Sequence, residues 1–248
     1  MKFKLVKADE SEQFSPCWEV ISNFFEQFLV QPIWTEDSEK NNKYEIDCEY
    51  LGFEKIHYYY GISKIAFFPE GTHVGNWIMK MPIDFTIQEC KEGCDVLYPS
   101  LDYCKIEENN WKSARENGVS SYFAETRCIG EAHIEIEGLI EKYKAAYIVI
   151  PLYAQRAVDC RQCDYGRNNS RADHSEIDAD TIDSLYESCE YCGTDDMLVD
   201  ALIDTVGIDE AQKVMEFINR YDINDINNTN WGFLNDKPCV FDFSRYMG

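Results

Sequence analysis

The sequence predicts an α+β protein, on two observations. Strand-like segments come first and helix-period segments later, with no regular strand–helix alternation of the βαβ kind. Hydrophobic residues make up 45% of the 248 residues and aromatics 14%, enough apolar material for a sizeable core and too much for a disordered chain. The length suits one large or two small domains.

The first element is a helix over residues 15–30. Ser15 stands as its N-cap and Pro16 at its first position, and Trp18, Ile21, Phe24, Phe25, Phe28 and Leu29 recur at helical spacing. Thr35 to Lys43 is polar and reads as a loop. Residues 57–68 are β-rich, Pro69-Glu70-Gly71-Thr72 is a turn, and Gly75 to Pro82 is a second strand. A helix over 104–117 is closed by Gly118. Ala145 to Ile150 is a short buried strand ending at Pro151, and 208–221 is a further helix. Strands Trp231–Leu234 and Cys239–Phe241 then flank an Asn235-Asp236 turn.

Charge narrows the function classes. With 46 acidic against 23 basic residues the formal net charge is −23, which argues against gripping nucleic acid or an anionic membrane surface. No stretch approaches the roughly 20 apolar residues of a membrane span, and the N-terminus lacks an apolar signal-peptide run. The 11 cysteines therefore read as reduced thiols or metal ligands, and a cytoplasmic location is expected.

The segment richest in chemistry runs from Tyr221 to Ser244. It holds Asp225, then Asn230 five residues on, then a hairpin, then Val240-Phe241-Asp242-Phe243. Phosphoryl transfer from ATP needs a carboxylate to orient the acceptor hydroxyl, with an amide and a second carboxylate to hold Mg²⁺ on the phosphates. The order and spacing resemble the catalytic core of protein kinases, and most closely the compact protein-kinase-like proteins of tailed bacteriophages.

That resemblance implies partners upstream. Trp77-Ile78-Met79-Lys80 resembles the kinase strand whose lysine holds the nucleotide phosphates, and Gly61-Ile62-Ser63 stands where the glycine-rich loop would be. Glu107 shares a helical face with Trp111 and Ala114 and is the expected partner of Lys80, ahead of Glu108. Tyr147–Ala154 resembles the hinge strand. The implied roles are Asp225 as base, Lys80 and Glu107 completing the catalytic set, Gly61 and Ser63 beside the nucleotide, and Asn230 and Asp242 on Mg²⁺. The implied architecture is two-lobed: a helical extension over 1–50, a β-rich lobe over 51–150 and a reduced C-terminal lobe over 151–248. The implied activity is an ATP- and Mg²⁺-dependent Ser/Thr phosphotransferase acting on host proteins. The alternative is an inactive kinase-like protein that binds and inhibits a host factor.

The chain also departs from the kinase pattern. Ile223-Asn224 replace the catalytic-loop His-Arg, Ser244 replaces the glycine after Asp-Phe, and only six residues follow Asp242, which leaves no room for an activation loop.

Two further features complete the expectations. Cys160-x2-Cys163 and Cys189-x2-Cys192, separated by 25 residues, have the paired spacing of a tetrahedral Zn²⁺ clip on an insertion. Between them His174 reads as a solvated loop residue, and Cys90 and Cys94 read as loop and core. Residues 173–210 hold thirteen acids and no Lys or Arg, an acidic face that could dock a basic partner.

Overall fold

The computed structural model describes residues 2–28, 34–37, 43–46, 57–61, 63–86, 96–99, 102–135, 147–160, 174, 176–224 and 226–244. The chain is α+β. It divides into two compact units, one of residues 1–72, 77–105 and 127–155, the other of residues 73–76, 106–126 and 156–248.

The first unit is built on a ten-stranded sheet. Its strands are β1 (Lys2–Lys7), β2 (Trp34–Asp37), β3 (Lys43–Ile46), β4 (His57–Tyr60), β5 (Lys64–Phe68), β6 (Trp77–Pro82), β7 (Asp84–Thr86), β8 (Val96–Pro99), β9 (Thr126–Glu135) and β10 (Tyr147–Arg156). The main path runs β4-β5-β6-β10-β8-β7-β3-β2, and β9 joins β10 to β1. β8 and β10 run parallel, whereas β1–β9, β4–β5, β5–β6, β2–β3, β3–β7 and β7–β8 are antiparallel.

Helix α1 (Ser15–Phe28) covers one sheet face. Its Cys17, Trp18, Ile21, Phe24 and Phe25 pack with Ile65, Phe67, Met79, Met81, Ile148, Ile150 and Leu152 into one core. Phe24 meets Phe67 at 4.7 Å between ring centroids. Alternation along β5 and β6 explains the division: odd-numbered residues enter this core and even-numbered ones face the other way. Ser15 is not a cap, since a 3₁₀ turn over Glu12–Phe14 precedes it and Ser15 is already helical. Nor are the first residues an extension. β1 pairs along β9 from Lys2↔Glu135 to Lys7↔Gly130, and α1 is central to the core.

The second unit gathers most of helix α2 (Tyr103–Glu116), helices α3 (Ala179–Cys192), α4 (Asp196–Val206) and α5 (Ile208–Arg220), and the hairpin β11 (Trp231–Leu234)–β12 (Lys237–Val240). Leu185, Tyr186, Leu198, Leu202, Val214, Phe217, Trp231 and Phe243 are buried together. The helix stops are local. At α2, Gly118 takes φ 77°, its N–H donates to Arg115 O, and the Val119 N–H reaches back to Ala114 O. The β11–β12 turn places Asn235 and Asp236 at φ 53° and 59°, the left-handed pair of a type I′ turn.

Candidate functional site

Residues after α5 form a loop held by several hydrogen bonds. The Ile223 and Ile226 side chains are buried on either side of the loop. The Asp195 N–H donates to Ile226 O at 2.8 Å, and the Trp231 indole N–H donates to the Asp195 carboxylate at 3.1 Å. Asp195 also caps α4 by accepting from the Met197 N–H. One capping residue therefore fixes both the loop and the start of the hairpin. Asp225, between the two anchors, lies outside the described residues.

Asn230 and Asp242 meet at the base of that hairpin. The Asn230 carbonyl accepts both the Phe241 N–H, at 2.9 Å, and the Asp242 N–H, at 3.3 Å. The Asn230 side-chain oxygen takes a hydrogen bond from the Thr229 hydroxyl at 3.2 Å, and the Ser244 hydroxyl lies 3.5 Å from the Asp242 carboxylate. Both residues are half-buried. An amide oxygen and a carboxylate from adjacent strand ends suit a hard divalent cation such as Mg²⁺. Behind them Phe243 is buried against Phe123, and its carbonyl accepts a buried 2.8 Å hydrogen bond from Asn110 on α2.

Glu107 lies three residues before Asn110 on the same helix and is 0% exposed. Glu108 is also buried and pairs with Lys112 at 2.8 Å. In the first unit, Lys80 on β6 is 4% exposed, a position where a cation needs interactions to offset lost hydration. Gly61 and Ser63 form the β4–β5 turn. The Gly61 N–H donates to Lys64 O, and Ser63 O accepts from the Ile83 N–H. The first bond spans the β4–β5 connection and the second lies on the β6 side of β5; Ile62, between Gly61 and Ser63, lies outside the described residues.

The cysteine pairs show less convergence. Cys189 is buried in the second core on the last turn of α3, where its carbonyl accepts the Thr194 N–H at 2.9 Å in a helix stop completed by Gly193 at φ 63°. Cys160 is exposed. Cys163 and the Cys192 side chain lie outside the described residues. Cys90 and Cys94 fall outside them too. Among the described residues no three potential ligands come together to hold a metal, so a zinc clip is not formed by what is described.

Three clusters had no clear signal in the sequence. His174 is not a solvated loop residue: its side chain is buried, Nε2 lies 3.2 Å from the Asp200 carboxylate and Nδ1 3.9 Å from Asp204. The Tyr186 hydroxyl also donates to Asp200. Asp102 caps α2 through the Lys105 N–H at 2.9 Å and accepts the Tyr153 hydroxyl. Burial pushes the Asp102 carboxyl up, although the bonds from Tyr153 and the cap amides oppose it. Burial, then the Asp102 charge, raises Tyr153 in turn. A groove of about 540 Å³ in the second unit is lined by Trp111, Phe123, Arg156 and Lys237 among others. Arg156 donates to Gly75 O at 2.7 Å and lies 3.7 Å from Glu125, and Lys237 sits 5.6 Å over the Tyr122 ring. Such clusters depend on residues far apart in sequence; only the Asp102-x-x-Lys105 cap has a local signature.

No described helix is long and apolar enough to cross a membrane. The chain matches no protein-family model, no curated protein and no solved structure.

Proposed function

We propose that the protein is an ATP- and Mg²⁺-dependent phosphotransferase of the kinase-like kind, transferring phosphate to a protein hydroxyl. The observation that carries this reading is the pairing of Asn230 and Asp242 at the hairpin base, with the following Phe243 tied by a buried hydrogen bond to α2, the helix of Glu107. Buried Lys80 supports it, on a strand that lies between the hairpin strand β5 and β10, the strand expected to be the hinge.

Each residue then has a defined task. Asn230 and Asp242 present the oxygens that hold Mg²⁺, which when bound supplies charge neutralisation on the phosphates. The kinase resemblance implies Lys80 as a further offset to phosphate charge and Glu107 as the carboxylate of the catalytic set. Asp225 accepts the proton of the acceptor hydroxyl as its oxygen bonds to the γ-phosphorus, while the bond from that phosphorus to the β,γ-bridging oxygen breaks and ADP leaves.

The test is a thermal-shift titration with Mg-ATP. A rise in melting temperature that Asp242→Ala abolishes supports the reading, and an unmoved wild-type melting temperature overturns it. Incubation with γ-labelled ATP then separates chemistry from binding: label incorporated into this chain or an added protein disappears in Asp225→Ala if Asp225 is the base. Metal analysis of the purified chain tests the structural zinc independently: one equivalent, reduced in Cys160→Ser, supports that clip.

A second reading, a kinase-like protein that works by docking a basic host factor, draws on exposed Asp178, just before α3, and Asp180, Asp183 and Glu187 along it. It expects binding that salt reverses and that Asp225→Ala leaves intact.

A further inference from the structure

We infer that Lys64 is a second cation for the phosphate chain of a nucleoside di- or triphosphate, acting beside Lys80. The inference rests on the phosphotransferase reading and extends it to a residue with no sequence motif.

The β5–β6 register carries the argument. Ala66 pairs with Lys80 and Lys64 with Pro82. Paired residues in an antiparallel ladder share a face, so Lys64, Ala66, Lys80 and Pro82 form a square on one side of the sheet. The two lysines occupy one diagonal. Ala66 and Pro82, whose side chains carry no polar atom, occupy the other. The opposite face holds Ile65, Phe67, Met79 and Met81, all in the apolar core against α1.

Diagonal neighbours on a sheet stand about 7–8 Å apart. Each ammonium rides on a flexible four-carbon stem, so two such groups can converge on adjacent phosphates of one chain. Lys64 is 9% exposed and Lys80 4%, so both charges act in a setting poorer in water than the surface, where attraction to an anion is stronger.

The adjoining turn explains why a second lysine is needed. A phosphate loop works by presenting backbone N–H groups to the ligand. Here the Gly61 N–H is committed to Lys64 O, and a Cβ at Gly61 would come within 3.1 Å of that same oxygen. Freeing that amide for a ligand would break this hydrogen bond. Lys64 is the first residue of β5 and offers a charged donor beside it. On the same face Tyr59, paired with Ala66 and 68% exposed, extends the row Tyr59–Ala66–Lys80 with an aromatic surface.

The consequence is selectivity by phosphate number. A monophosphate engages one lysine, whereas a di- or triphosphate engages both. The experiment is calorimetric titration of the full chain with Mg-ATP, Mg-ADP and AMP, for wild type, Lys64→Met and Lys64→Arg. Methionine matches the length of lysine and suits a buried position. Loss of one charge-assisted contact predicts that Lys64→Met weakens Mg-ATP and Mg-ADP by about tenfold or more, with AMP changed less than about twofold. Lys64→Arg keeps most of the affinity. Equal Mg-ATP affinity in wild type and a folded Lys64→Met overturns the inference while leaving the phosphotransferase reading in place.

Should Lys64→Met fail to fold, the ¹³Cε signal of Lys64 in the wild-type chain decides: it shifts with Mg-ADP but not AMP if the inference is right, and an unmoved signal refutes it. If wild type binds no nucleotide, the phosphotransferase reading fails and inorganic tripolyphosphate becomes the probe. Binding of that anion, lost in Lys64→Met, still supports the two-lysine site; no binding removes both.

Discussion

Asp222 ends α5 with φ 52°, in the left-handed region that a side chain enters at a cost. The Ile223 N–H reaches back to Ile218 O and the Asp222 N–H to Asn219 O, the same stop that Gly118 makes for α2, but without the glycine. Asp222→Gly is therefore expected to raise stability by about 0.5–1 kcal/mol in urea unfolding, relief of strain exceeding the added chain entropy. Asp102 gives a pH-dependent case. Its carboxyl is raised from 3.8 by burial, so the folded state holds its proton more tightly than the unfolded one. The stability so contributed is fully present below 3.8 and is lost as pH rises through the raised value. Asp102→Asn removes that dependence while keeping the oxygen that caps α2. Wild type should thus lose stability relative to Asp102→Asn as pH rises above 3.8, a trend read from paired denaturation curves. Asp102→Ala, which deletes the cap and strands the Tyr153 hydroxyl, should cost about 2–4 kcal/mol.

Among elements, the β11–β12 hairpin shows what could be read from sequence and what could not. Its two strands and the Asn235-Asp236 turn were legible because their signals lie within a dozen residues: alternation, then two residues that tolerate left-handed backbone. The role of Gly232 was not. Asp159 and Phe233 exchange backbone hydrogen bonds of 2.9 Å in each direction, and a Cβ on Gly232 would lie 2.2 Å from Asp159 O. That glycine is a packing requirement set by a segment more than seventy residues upstream. Gly232→Ala should destabilise the second unit by about 1–3 kcal/mol and expose the Asp159 and Phe233 amides to exchange. Helices α3 and α4 were missed for a related reason. The acids of 173–210 looked like one solvated surface, yet Leu185, Tyr186, Cys189, Leu198, Val199 and Leu202 form buried stripes, and Asp195 and Asp200 are used internally. Strand β1 is absent from the sequence expectations, which take residues 1–50 as a helical extension: Lys2-Phe3-Lys4-Leu5 alternates, but its place beside β9 depends on residues 126–135, more than a hundred positions away. Of the candidate site, Asn230 and Asp242 could be placed because one hairpin brings them together, whereas Lys64 needed the β5–β6 register to stand out.

Over the whole molecule, the net charge of −23 is self-repulsive, and the exposed acids of α3 add to it. Raising NaCl from about 20 to 300 mM, which shortens the screening length to below roughly 10 Å, should therefore raise the melting temperature by about 2–4 °C. A flat or falling response would mean that attractive ion pairs, such as those made by Arg156 and Lys213, outweigh the repulsion.

The doubly used Asn230 carbonyl has a further consequence. Because one oxygen secures the amides of Phe241 and Asp242, those two protons should exchange with solvent in step, opening only when the strand ends part. They act as a paired clock at the one place where a divalent cation is expected to sit. Slowing of both by Mg²⁺ alone would report occupancy of that corner before any phosphate has moved.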